Sequence, residues 1–149
     1  MATFENTVTI QRPAEDVFAF LADFRNVAKW NYAIEETTKT SPGPVGVGTT
    51  YRQTRSVPRR GQERFEVTVF DPTRRLEIEG EIGPFQARIG YVLEPLGDAT
   101  RLTNDMELEP SSTVSRLTAP LAASRVKAAV ASNLNELKLI LDGSEREGS

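Results

Sequence analysis

Between Thr3 and Ile10, Phe4, Val8 and Ile10 share one phase with Asn6, and Thr3, Glu5, Thr7 and Thr9 share the other. This period of two predicts a half-buried strand. Arg12-Pro13 ends it, and proline, with fixed φ and no N–H, suits the first turn of a helix. Ala14 to Leu21 then carries Val17, Phe18 and Leu21 on one face. Glu15 and Asp16 lie near the positive end of that helix's dipole. Asp23 can cap a second short helix reaching about Lys29, with Trp30 after it.

Six strand-like segments follow. They are Ala33 to Thr40, Thr49 to Val57, Arg64 to Phe70, Leu76 to Ile82, Phe85 to Leu93 and Leu102 to Leu108. Ser41-Pro42-Gly43-Pro44, Pro58 to Gly61, Asp71-Pro72-Thr73 and Leu96-Gly97-Asp98 separate them as turns. The alternation fits an antiparallel sheet with one wet and one covered face. From Pro120 to Leu141 the period changes. Leu121, Val126, Val130, Leu134, Leu137 and Leu141 recur every three to five residues, one apolar stripe along a helix. Helical character begins near Ser111 or Ser112, and Pro120 should kink that helix or start its main part. The order predicts an α+β fold: a strand, two short helices, about six strands and a long helix. The helix covers the sheet, so the two must either fill the space between them or leave a pocket there.

With 149 residues the chain is long enough to bury one core, so a single domain is expected over 1–142, with a polar, frayed tail at 143–149. There is no cysteine and no histidine. This excludes disulfides, zinc-thiolate sites and a Ser-His-Asp triad, and removes the commonest general base. No cofactor or metal site is expected. The net charge of -3 argues against nucleic acid as a partner. The amino terminus has no basic or apolar run of the signal-peptide kind, and no segment approaches the roughly 20 apolar residues that span a bilayer. A cytoplasmic protein without stable membrane insertion is expected. The alanines of the last helix leave a homodimer open.

Three segments carry a resemblance. They are Ile10-Gln11-Arg12-Pro13-Ala14-Glu15-Asp16-Val17-Phe18-Ala19-Phe20-Leu21-Ala22-Asp23 followed by Trp30, then Val47-Gly48-Thr49-Thr50-Tyr51, then Asn133-Leu134-Asn135-Glu136-Leu137-Lys138. Together they resemble the START-like (SRPBCC) superfamily of helix-grip proteins, in particular the bacterial polyketide cyclase/dehydrase-like group. The resemblance implies a curved antiparallel sheet around a long carboxy-terminal helix, enclosing an apolar cavity for a lipid, steroid or polyketide. Such motifs specify a fold and leave the ligand open.

The candidate site residues are polar groups in inward phases. Asn104 falls between Leu102 and Met106, and a buried amide must be hydrogen-bonded to protein, water or ligand. Tyr51, Gln53 and Arg55 share a face of one strand, and the resemblance favours that face as the inner one. The alternative register turns Thr50, Arg52 and Thr54 inward. Arg55 could hold a carboxylate or polarise a carbonyl. Tyr91 shares the phase of Phe85, Ile89 and Leu93, and Trp30 is a candidate aromatic at the cavity mouth beside Tyr32. Glu63 shares the phase of Phe65 and is the carboxylate to suspect. Gly43 to Gly48 lacks the Lys-Ser/Thr ending of a phosphate loop and reads as a surface loop.

The expected function is therefore binding of a small hydrophobic ligand of lipid, polyketide or aromatic type between the sheet and the last helix. Tyr51, Gln53, Arg55, Tyr91, Asn104 and Trp30 are its expected contacts, and no catalytic residue is assigned. The alternative is a cyclase or dehydratase acting in the same cavity without a histidine base.

Overall fold

The computed structural model describes residues 2–110 and 117–147. Strand β1 (Ala2–Ile10) is followed by α1 (Ala14–Ala22), a 3-10 turn (Phe24–Asn26) and α2 (Val27–Trp30). Six strands come next: β2 (Ile34–Lys39), β3 (Thr50–Arg55), β4 (Gly61–Asp71), β5 (Arg75–Ile82), β6 (Phe85–Leu96) and β7 (Ala99–Pro110). Helix α3 (Ala119–Glu147) closes the chain and continues through Gly143. The seven described strands form one sheet in the order β1-β7-β6-β5-β4-β3-β2, every pairing antiparallel. The sheet curves around α3, so the fold is the α+β helix-grip arrangement.

Local chemistry explains the connections. Asp23 accepts from the Arg25 N–H at 3.2 Å and starts the 3-10 turn. The second short helix read from the sequence is therefore split into that turn and the four residues of α2. Pro120 lies in the first turn of α3, where its missing N–H costs no hydrogen bond. The helix start expected at Ser111 or Ser112 lies outside the described residues. Thr100 Oγ1 donates to the Arg12 carbonyl at 2.8 Å and ties β7 to the start of α1. Asp142 accepts from the Gln11 N–H at 2.8 Å and from Lys138 at 2.6 Å, anchoring α3 beside the end of β1.

The inner face of the sheet carries the core. Leu134, Leu137 and Leu141 of α3 are buried with Ile10, Val17, Leu21, Leu76, Leu93 and Leu102. A second cluster joins Ala123 of α3 to Phe85, Ala87, Met106 and Leu108. Leu121, expected in the helix stripe, is 59% exposed, and Ala119 and Ala123 are buried instead. At about 100° per residue, Ala119 lies two turns before Val126, whereas Leu121 is rotated about 140° from it. On the outer face Arg88 contacts Asp105 at 2.9 Å and Glu107 at 3.2 Å, and Arg75 contacts Glu77 at 2.8 Å. Arg88 also contacts Glu77 at 3.5 Å, so these ion pairs join β5, β6 and β7.

Two glycines mark close approaches. A Cβ on Gly80 would sit 2.2 Å from the Arg64 carbonyl oxygen and 2.5 Å from Phe65 Cβ, whereas one on Gly90 would meet the Asp105 carboxylate at 2.7 Å. The first obstacle is backbone, and the second is the end of a side chain. Gly80→Ala is expected to destabilise the fold by about 1–3 kcal/mol or more, in the range of overpacked cores. Gly90→Ala should cost clearly less, as read by urea unfolding of the two variants.

Candidate functional site

Strands β3 and β4 pair with Tyr51 opposite Phe65 and Gln53 opposite Glu63. Tyr51, Gln53, Glu63 and Phe65 are all buried, while Arg52 and Arg64 point outward. This fixes the register that the sequence left open, with Tyr51 and Gln53 inward. Arg55 is half-buried at the end of the same strand.

Glu63 organises this corner. Its Oε1 accepts from Gln53 Nε2 at 2.8 Å, and its Oε2 accepts from Arg55 Nε at 2.7 Å and from the Gly83 N–H at 2.6 Å. A buried carboxylate is tolerable only with such partners. Gly83 has φ of +52°, a conformation glycine adopts without strain, in the turn between β5 and β6. That turn thus delivers a donor to a carboxylate on the neighbouring strand β4.

A cavity of about 70 Å³ lies against this corner. Leu21, Phe24, Val27 and Trp30 form its helical wall, and Phe65, Ile78 and Ile89 lie on the sheet side with Gln53, Arg55 and Tyr91. The sequence placed the ligand space between the sheet and the last helix. The structure places this cavity beneath α1 and α2, and no described residue of α3 lines it. Leu134, Leu137 and Leu141 of α3 are buried in the core. Outside the cavity, an open groove of about 830 Å³ runs between α1, the 3-10 turn and β2. Ala19, Ala22, Ala28, Thr37 and Tyr51 are among the residues that line it, with charged Asp23, Arg25 and Lys39.

Four of the six expected contacts, Trp30, Gln53, Arg55 and Tyr91, thus share one cavity. Tyr51 lines the groove. Asn104 lies elsewhere: it is 1% exposed, pairs in register with Asn6 and Tyr91, and lines neither space. Its Nδ2 reaches the Gly90 carbonyl at 3.4 Å, and its Oδ1 has no partner. Trp30 is buried with its Nε1 unpartnered, whereas Tyr32 is 62% exposed. Phe24 and Thr37 were not singled out from the sequence. Thr37 carried no signal in the sequence, because it shares the register of Gln53 only through the pairing of β2 with β3.

Burial pushes the Tyr51 phenol above its ordinary range, and the nearby Asp23 carboxylate adds to this. Burial alone pushes Tyr91 up further. The side-chain hydrogen bond from Arg25 holds Asp23 below the usual carboxylate range. Among the described residues no three carboxylates gather as a metal site. No described helix is long and apolar enough to cross a membrane.

The family described as polyketide cyclase/dehydrase and lipid transport matches over residues 1–141, and the chain belongs to that family. No curated protein matches the sequence. Similar solved structures include a Thermus thermophilus protein with 17% identity and a TM-score of 0.73, covering 99% of both chains. A START superfamily protein from Mycobacterium smegmatis has 18% identity and a TM-score of 0.71, again over 99% of both chains. Zhui, a Streptomyces aromatase/cyclase, has 18% identity and a TM-score of 0.76 over 99% of this chain and 96% of its own. At these identities the likeness shows the fold.

Two outcomes follow. Glu63→Ala leaves Arg55, Gln53 and the Gly83 N–H without an acceptor and should cost about 3–5 kcal/mol in urea unfolding. Replacing both ions, with Arg55→Met and Glu63→Leu, should recover most of that loss. Tyr51 and Tyr91 have folded pKa values above the unfolded value of about 10. Their contribution is therefore complete below pH 10 and is lost as pH rises above it. The stability of Tyr91→Phe should accordingly fall less between pH 10 and pH 11.5 than that of the unaltered protein.

Proposed function

We propose that this protein binds a small hydrophobic molecule of lipid, polyketide or aromatic type in the space enclosed by the sheet, α1 and α2. The supporting observation is convergence: Trp30 of α2, Gln53 and Arg55 of β3, and Tyr91 of β6 meet at one space whose other walls are largely apolar. Such a wall supplies affinity through buried apolar area, about 25 cal/mol per Å², while a few polar atoms set orientation. Family membership supports the same ligand class. We place the protein in the cytoplasm and assign it no nucleic-acid partner, in keeping with its net charge of -3.

The reading requires the space to enlarge. At about 70 Å³ the cavity is far below the roughly 300–1,000 Å³ of sites for drug-sized ligands. The wall that yields is the helical one, because the 3-10 turn has three residues and α2 has four. Elements this short hold few hydrogen bonds of their own.

The family description favours a second reading, a cyclase or dehydratase acting on a polyketide-like substrate in the same space. Gln53 and Arg55, the groups suited to polarising a carbonyl, are both engaged by Glu63. A substrate carbonyl must compete with that carboxylate for them, which is why binding is the first reading.

A thermal-shift panel of fatty acids, sterols and aromatic polyketides tests the proposal. At a hundredfold excess over Kd a ligand stabilises by about 2.7 kcal/mol, so Tm should rise by roughly 5–10 °C, and the rise should shrink in Trp30→Ala. A panel in which no class moves Tm overturns the proposal. Chromatography of a bound polyketone before and after incubation separates binding from turnover.

A further inference from the structure

Phe24 lines both the internal cavity and the outer groove. Its ring sits 4.6 Å from Tyr51, inclined at 54°, and 5.3 Å from Phe65, inclined at 59°. Tyr51 and Phe65 instead lie 5.0 Å apart and nearly parallel, at 15°. These two are register partners on adjacent strands, so the sheet ladder holds them. Phe24 is buried too, but it belongs to the three-residue 3-10 turn and has no strand partner. It is the member of the trio that no sheet ladder holds, and Tyr51 and Phe65 form the platform beside it.

The next inward rung of the sheet is polar. Thr37 pairs with Gln53, and Gln53 with Glu63. Two residues along a strand is about 7 Å. Gln53 Nε2 is committed to Glu63, whereas the Thr37 hydroxyl is buried without a partner, in a residue only 7% exposed on the groove wall. Leaving a buried hydroxyl unpaired is unfavourable, and a hydroxyl can both donate and accept.

We infer that Phe24 partitions a single binding site, and that the site takes a planar aromatic molecule whose ring replaces Phe24 on the Tyr51–Phe65 platform and whose hydroxyl or carbonyl pairs with Thr37. This rests on the ligand-binding reading above and adds its specificity. Displacing Phe24 joins the groove of about 830 Å³ to the cavity, which gives the ligand the room that the cavity alone lacks. A ring on the platform lies about one rung, roughly 7 Å, from the polar row, the reach of a second fused ring and its substituent. A ring in Phe24's place meets the pair at tilts of 54° and 59°, an edge-to-face arrangement that favours aromatic rings over saturated ones of equal area.

The test uses 2-naphthol and naphthalene as probes, with fluorescence titration for Kd and stopped-flow mixing for association rates. The unaltered protein should bind 2-naphthol at least tenfold more tightly than naphthalene. Thr37→Val, nearly isosteric, should shrink that gap to under twofold while leaving naphthalene unchanged. Phe24→Ala should raise both association rates about tenfold, and Phe24→Leu replaces it if the alanine variant does not fold. An undiminished gap in Thr37→Val overturns the pairing with Thr37, and unchanged rates in the Phe24 variants overturn the partition. If neither probe binds while another compound of the thermal-shift panel raises Tm, the aromatic site is overturned and ligand binding stands. If nothing in the panel binds, both fall.

Discussion

A single buried carboxylate sets the geometry of the candidate site. Glu63 lies on the apolar face of the sheet, where an unpartnered charge would be intolerable. Gln53, Arg55 and the Gly83 N–H converge on it from β3 and from the turn after β5. Satisfying Glu63 therefore locks the register of β3 on β4, orients two polar side chains into the cavity and positions the turn that follows the neighbouring strand β5. The wall around the cavity is arranged about that requirement.

The position of the cavity follows from how the core is shared. The carboxy-terminal half of α3 brings Leu134, Leu137 and Leu141, which are buried in one cluster with residues of β1, β5 to β7, α1 and α2. Its amino-terminal half brings smaller side chains, Ala119 and Ala123, and there Phe85, Met106 and Leu108 of the sheet supply the bulk. Between the two clusters lies the rung of Asn6 and Asn104, polar on an otherwise apolar face. Space is left where short elements cover the sheet, because α1, the 3-10 turn and α2 are too brief to lay a continuous stripe of large side chains over β3 and β4.

Much of the fold is legible in the chain. The alternation of Phe85 to Leu93 and of Leu102 to Leu108 marks two neighbouring interior strands, and the burial of their residues matches the inward phase. The inward phase of Asn104 is legible too, but its place is not. A period of two assigns a face of the sheet and says nothing about which part of that face a helix covers. Leu121 shows the same limit on a helix, since it joins the stripe on spacing alone and lies about 140° from it. Glu63 is visible as a carboxylate in an apolar phase. Its three donors are not, because they depend on strand pairing and on a turn some twenty residues away.

The sequence by itself determined the order of elements, the inward face of most strands and the stripe on the last helix, since these depend on residues within a few positions of one another. It also determined what chemistry is absent, because a chain without cysteine or histidine cannot use either. Only the tertiary structure decided that Trp30, Gln53, Arg55 and Tyr91 meet around one cavity, that Asn104 stands apart from it, and that Phe24 separates that cavity from a groove. These are distances between elements far apart in the chain, set by the twist and pairing of the sheet and by how much of it each helix covers.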